Sequence, residues 1–163
     1  MKHRLARFSL LIFITVTHLL LTSTLLSQTP RPFPEFRWLD YSGKPVSSKN
    51  LAGSPIIVLF SPTFKNWQLK QQIKQLEKIY QLLAAEKTLC FLATNQFPQK
   101  VISNIPFLFV ANPNELSQKL NLPSKFAIAI VGRDGNLDLI THRRQSGQRV
   151  LDIIRNSFAS QQA

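Results

Sequence analysis

The chain has 163 residues, 44% of them hydrophobic, at a mean hydropathy of -0.02, which allows one domain with a sizeable core and excludes disorder throughout. Twenty Lys and Arg against eight Asp and Glu give a net charge of +12, so anionic partners are favoured. Nucleic acid is not the expected one, because zinc-finger spacing, an RNA-binding aromatic signature and a basic arm outside the leader are all missing, and a single cysteine excludes an internal disulfide.

Lys2, His3, Arg4 and Arg7 precede the apolar run Phe8–Leu26, "FSLLIFITVTHLLLTSTLL". A cationic start before an apolar run is the pattern of a secretory signal, and 19 residues also suffice to cross a bilayer. Residues 1–27 are therefore expected to be a signal peptide or a membrane anchor. Positive charge on the leading side would keep that end in the cytoplasm and send the rest of the chain out. The domain is expected to be extracytoplasmic, periplasmic or secreted, with residues 8–26 as its anchor if uncleaved. Without the leader, 17 basic residues still face 8 acidic ones, a balance of +9.

Pro30, Pro32 and Pro34 resist helix, so residues 28–35 read as an extended spacer. The domain is expected over 36–160. It opens with a short strand at Phe36–Leu39, a turn at Ser42-Gly43, then Pro45-Val46. Ile56–Phe60 is continuously apolar, as in a strand buried on both faces. From Trp67 to Ala85 the spacing predicts one amphipathic helix, with Leu69, Ile73, Leu76, Tyr80 and Leu83 inward. Lys70, Lys74 and Lys78 repeat every fourth residue on another face. Thr88–Thr94 reads as a buried strand, 115–120 as a short helix, and "KFAIAIVGRDGNLDLITH" as a hairpin turning at Arg133–Asn136. A last helix over Gln148–Phe158 turns Val150, Leu151, Ile154 and Phe158 inward. The order β, β, α, β, α, β, β, α predicts an α/β fold, a mixed sheet flanked by helices.

"DYSGKPVSSKNLAGSPIIVLFSPT" resembles the opening of the thioredoxin-like superfamily, of the redoxin, peroxiredoxin and membrane-anchored thiol-disulfide reductase type. Asp40, Gly43, Lys44, Pro45, Val46, Leu51 and Gly53 match its D-x-x-G-K-x-V-x-x-x-x-L-x-G motif. "IPFLFVANPNELSQKLNL" and "FAIAIVGRDGNL" continue the likeness, the second also being similar to a poorly characterised thioredoxin-like family with L-I-G-K-D-G at this point. The resemblance spans about residues 36–158 and implies a thioredoxin-like fold. It also implies a C-x-x-C pair just after the Ile56–Phe60 strand. Aligned on "SPT", those cysteines fall at Phe64 and Trp67; aligned on Phe60, at Lys65 and Gln68. Neither register contains sulfur, so the pattern is degenerate. The family's cis-proline should fall near Phe126, and Pro123 comes three residues early.

Cys90 lies among Leu89, Phe91 and Leu92, as an inert core residue would. His142, in "THRR", has no second imidazole beyond the leader with which to bind metal; an alternative is that His142, Arg143 and Arg144 form an anion-binding patch at the start of the last helix. No nucleophile elbow or phosphate loop is visible, and no cofactor is expected. Two readings stay open. One is a redox-inactive thioredoxin-like module that binds an envelope protein or an anionic surface through Phe64, Lys65, Trp67, Gln68, Lys70, Lys74 and Lys78. The other is a redoxin-type oxidoreductase acting through Cys90 or a partner's cysteine.

Overall fold

A computed structural model describes residues 30–96, 101–122 and 125–157, and Arg31 onward forms one compact unit. Its strands are β1 (Arg37–Leu39), β2 (Pro45–Ser47), β3 (Ile56–Phe60), β4 (Leu89–Ala93), β5 (Leu108–Val110), β6 (Ala127–Val131) and β7 (Leu137–Thr141). Its helices are α1 (Trp67–Glu77), α2 (Tyr80–Ala85), α3 (Pro113–Lys119) and α4 (Gly147–Arg155), with a 3-10 turn at Ser48–Leu51. All seven strands join one sheet in the order β2-β1-β5-β4-β3-β6-β7. β3, β4 and β5 run parallel, and the other pairings are antiparallel.

Every residue of β3 is buried, because the strand feeds two cores. Ile57 and Leu59 point to one face, where Leu69, Ile73 and Leu76 of α1, Leu83 of α2 and Val150 and Ile154 of α4 cover them. Ile56, Val58 and Phe60 point to the other, where they meet Leu116, Leu120 and Phe36. Alternate side chains of a strand face opposite ways, so a strand between two covered faces is apolar throughout. Helices lie on both faces, as the alternation of elements required.

In three places the structure departs from the expected one. The single helix over 67–85 is two helices. An unbroken helix would bond the Ile79 N–H to the Gln75 carbonyl; instead it bonds to the Leu76 carbonyl at 3.0 Å. The Gln75 carbonyl and the Ile79 side chain lie against Gly147, where even a Cβ would come within 2.8 Å of that oxygen. Close approach of α4 thus coincides with the break, and Lys78 becomes the residue that ends α1.

Two strands, β2 and β5, are additional, each three residues long and too short to show periodicity. The proline-rich stretch read as a spacer is partly stitched to the domain. Phe33 N–H bonds to the Gly135 carbonyl at 2.9 Å and Leu137 N–H to the Arg31 carbonyl at 2.8 Å, with Pro32 bridging Asn136. That contact is made at the β6–β7 turn, where Gly135 takes a φ of 79°, a conformation that favours glycine. The leader, Pro123 and Phe158 lie outside the described residues. Among the described residues no helix is long and apolar enough to cross a membrane.

Candidate functional site

The segment after β3 is a fixed turn, held from within. Ser61 is buried, its N–H bonded to the Ala93 carbonyl at 3.0 Å and its hydroxyl donating to the Thr63 carbonyl at 2.8 Å. Asn66 then caps α1, its Oδ1 accepting from Gln68 N–H at 2.8 Å and Leu69 N–H at 3.3 Å, which satisfies two of the helix's otherwise unpaired donors. Phe64 is half-buried and packs on the core beneath α1. Lys65 is exposed, Gln68 half-buried, and Lys70, Lys74 and Lys78 exposed. Trp67 stands 59% exposed.

A helix turns about 100° per residue, so Trp67, Lys70, Lys74 and Lys78 share an arc of about 80°. That arc lies opposite the buried side of Leu69, Ile73 and Leu76. The expected stripe is therefore present, and Trp67 belongs to it. Phe64 lies apart from it, against the core.

Arg144 joins the stripe from elsewhere in the chain. Its guanidinium carbon lies 4.4 Å from the Trp67 ring centroid, a contact that contributes about 0.5–1 kcal/mol where solvent reaches it. Gln72 fixes that meeting. Fully buried, it donates from Nε2 to the Gln145 carbonyl at 3.1 Å and accepts at Oε1 from the Gln145 N–H at 2.7 Å. One amide side chain thus satisfies both backbone groups of the residue next to Arg144. His142 takes no part: its Nδ1 lies 3.3 Å from the Phe126 carbonyl. Sequence spacing had joined Arg144 to His142 and Arg143; only a contact across more than 70 positions could have shown the Trp67 stack.

Among the described residues the stripe's cations form no ion pair, although Glu77 lies in the same helix. Ion pairs among the described residues involve Lys49, Lys119, Arg133 and Arg155, and none reaches α1 or residues 142–149. Of the chain's eight acids only Glu77 lies in α1.

Cys90 is the second residue of β4, paired in register with Ile57 and 4% exposed. Burial pushes its thiol up to about 12, so near neutral pH it stays protonated and is a poor nucleophile. It lies three residues, about 10 Å, below the C-terminal end of β4. Among the described residues no three His, Cys, Asp or Glu side chains gather as a metal site would require.

Two open clefts border the C-terminal ends of the parallel strands. One, of about 530 Å³, is lined by residues that include Asn95, Gln96, Phe109, Asn112 and Asn114. The other, of about 240 Å³, runs past Phe60, Ser61 and Pro62 to Lys125. Trp67 and the lysines line neither. The sequence reading had missed both, since their amides come from separate loops.

The seven-stranded order, with a strand feeding α1 at the edge of a parallel core, invites comparison with solved structures. A thiol:disulfide interchange protein of the thioredoxin family from Chlorobium tepidum superposes with a TM-score of 0.61 at 20% identity, covering 79% of this chain and 97% of its own. The fold is thioredoxin-like. A mitochondrial 2-Cys peroxiredoxin from Plasmodium falciparum gives a TM-score of 0.60 at 15% identity, over 83% and 97% of the two chains. BsSco, of the Sco family of cytochrome c oxidase assembly proteins, gives 0.56 at 14% identity, over 79% and 94%. No family model matches the chain, and no curated protein matches it in sequence.

Proposed function

We propose that this protein is a thioredoxin-like domain that works outside the cytoplasm as a redox-inactive binding module. The observation that carries this reading is the state of the chain's one thiol: Cys90 is sealed inside β4, its thiol held up at about 12. Disulfide exchange needs an accessible thiolate and a second sulfur, and the site after β3 supplies neither. At Phe64, Lys65, Trp67 and Gln68 it offers a half-buried ring, a lysine, an exposed indole and a glutamine. The leader's cationic start and apolar run support the compartment. The stripe of Trp67, Lys70, Lys74 and Lys78 is the surface through which we expect it to bind, and its unpaired charge favours an anionic partner.

The competing reading, an oxidoreductase acting through Cys90 or a partner's cysteine, has one observation in its favour: the fold is shared with a thiol:disulfide interchange protein and a peroxiredoxin. Fold alone does not transfer activity. The deciding experiment assays the full chain for peroxide consumption and for insulin disulfide reduction with a dithiol donor present. The expected result is no turnover above buffer in either. Turnover that disappears in Cys90→Ala would establish the competing reading.

A further inference from the structure

We infer that the α1 stripe docks on a bilayer containing anionic phospholipid, with Trp67 at the headgroup level and Lys70, Lys74, Lys78 and Arg144 over the phosphates. This rests on the binding-module reading and adds the partner's chemistry. The stripe is the outward side of a helix, and neither cleft beside the strand ends includes it. Protein hot spots favour aromatic anchors seated in fully desolvated pockets. A ridge of lysines around one half-exposed indole lacks that concavity. It suits a fluid interface, which moulds itself around a ridge and accepts indoles and flexible ammonium groups at headgroup depth.

Charge points the same way, and chain length, without selecting a face, keeps the domain close to any bilayer that the apolar run enters. Among the described residues the four cations carry no ion pair, and each basic group near an anionic surface adds about fivefold to binding. Arg31 is already bonded to the start of β7, so the steps from Leu26, where the apolar run ends, to Arg31 reach at most about 17 Å. Wherever that run lies in a membrane, a tether this short keeps the domain at its surface and raises the local concentration of lipid around it.

The test uses the full chain in vesicles of phosphatidylcholine alone or mixed with phosphatidylglycerol. The apolar run can enter both, so the readout is the emission of Trp67, taken as the difference from Trp67→Phe. Expected is a blue shift with shielding from iodide in the anionic vesicles only, reversed by raised salt. In Lys70→Gln/Lys74→Gln/Lys78→Gln the lipid concentration for half-maximal shift should rise about a hundredfold. Equal emission in both vesicle types overturns the inference, as does a shift that the triple variant keeps. Poly-glutamate is a third arm: a shift caused by it and not by lipid assigns the stripe to an acidic protein instead. An unshifted Trp67 with blank redox assays removes the lipid alone, whereas redox turnover alongside a lipid-dependent shift removes only the redox-inactive reading.

Discussion

Cys90 and Trp67 occupy opposite kinds of place in one small sheet-and-helix frame. Cys90 lies within β4, paired with Ile57 of β3, with apolar neighbours on its face and a thiol that burial keeps protonated. Trp67 begins the helix that β3 feeds, 59% exposed and stacked under a guanidinium. The sequence resemblance would place a C-x-x-C pair where the chain leaves β3. Here sulfur and access have come apart. The helix start is accessible and carries an indole and lysines, while the thiol lies in the core.

The seam between α1 and residue 145 is where the open region is most easily broken. Gln72→Ala removes both bonds to the Gln145 peptide and leaves a part-buried N–H and C=O without that partner. Its expected cost is about 1–2 kcal/mol by denaturant unfolding, with the Arg144–Trp67 stack lost as well. A smaller effect is expected far from both regions. The Asp138 carboxyl is raised to about 6 by burial and by the neighbouring Asp134, so the folded state holds that proton more tightly than the unfolded one. Its stabilising contribution is complete below about pH 4 and is lost as pH rises through about 6. Asp138→Asn should therefore be more stable than the parent at pH 8, by no more than about 1 kcal/mol because solvent screens the site, and should match it near pH 4. Trp67 emission and Cys90 reactivity should not change in that variant. Smallest of all, Arg144→Ala should lower the melting midpoint by the equivalent of about 0.5–1 kcal/mol or less while changing the Trp67 emission.

Much of the frame is legible in the sequence. Ile56–Phe60 is apolar at every position because it supplies two cores, and the Arg133–Asn136 turn carries glycine where the backbone needs a positive φ. What escaped had physical reasons. β2 and β5 have three residues each, too few to display a period. The split between α1 and α2 depends on Gly147 pressing on Gln75 and Ile79, a contact between elements far apart in the chain. The prolines at 32 and 34 resist helix as read, yet extended backbone can also pair, and here it is stitched beside β7. At the site, local sequence identified the lysine repeat and the missing sulfur, while the Arg144 stack and the Gln72 clamp are tertiary.

The most direct test of the account is the rate at which a thiol reagent modifies Cys90 in the folded full chain, compared with the denatured chain. The account predicts negligible native modification at pH 8, with a rate that climbs with denaturant in step with global unfolding. Rapid stoichiometric modification of the folded protein would contradict it, since a thiol that reacts from the native state is neither sealed nor inert.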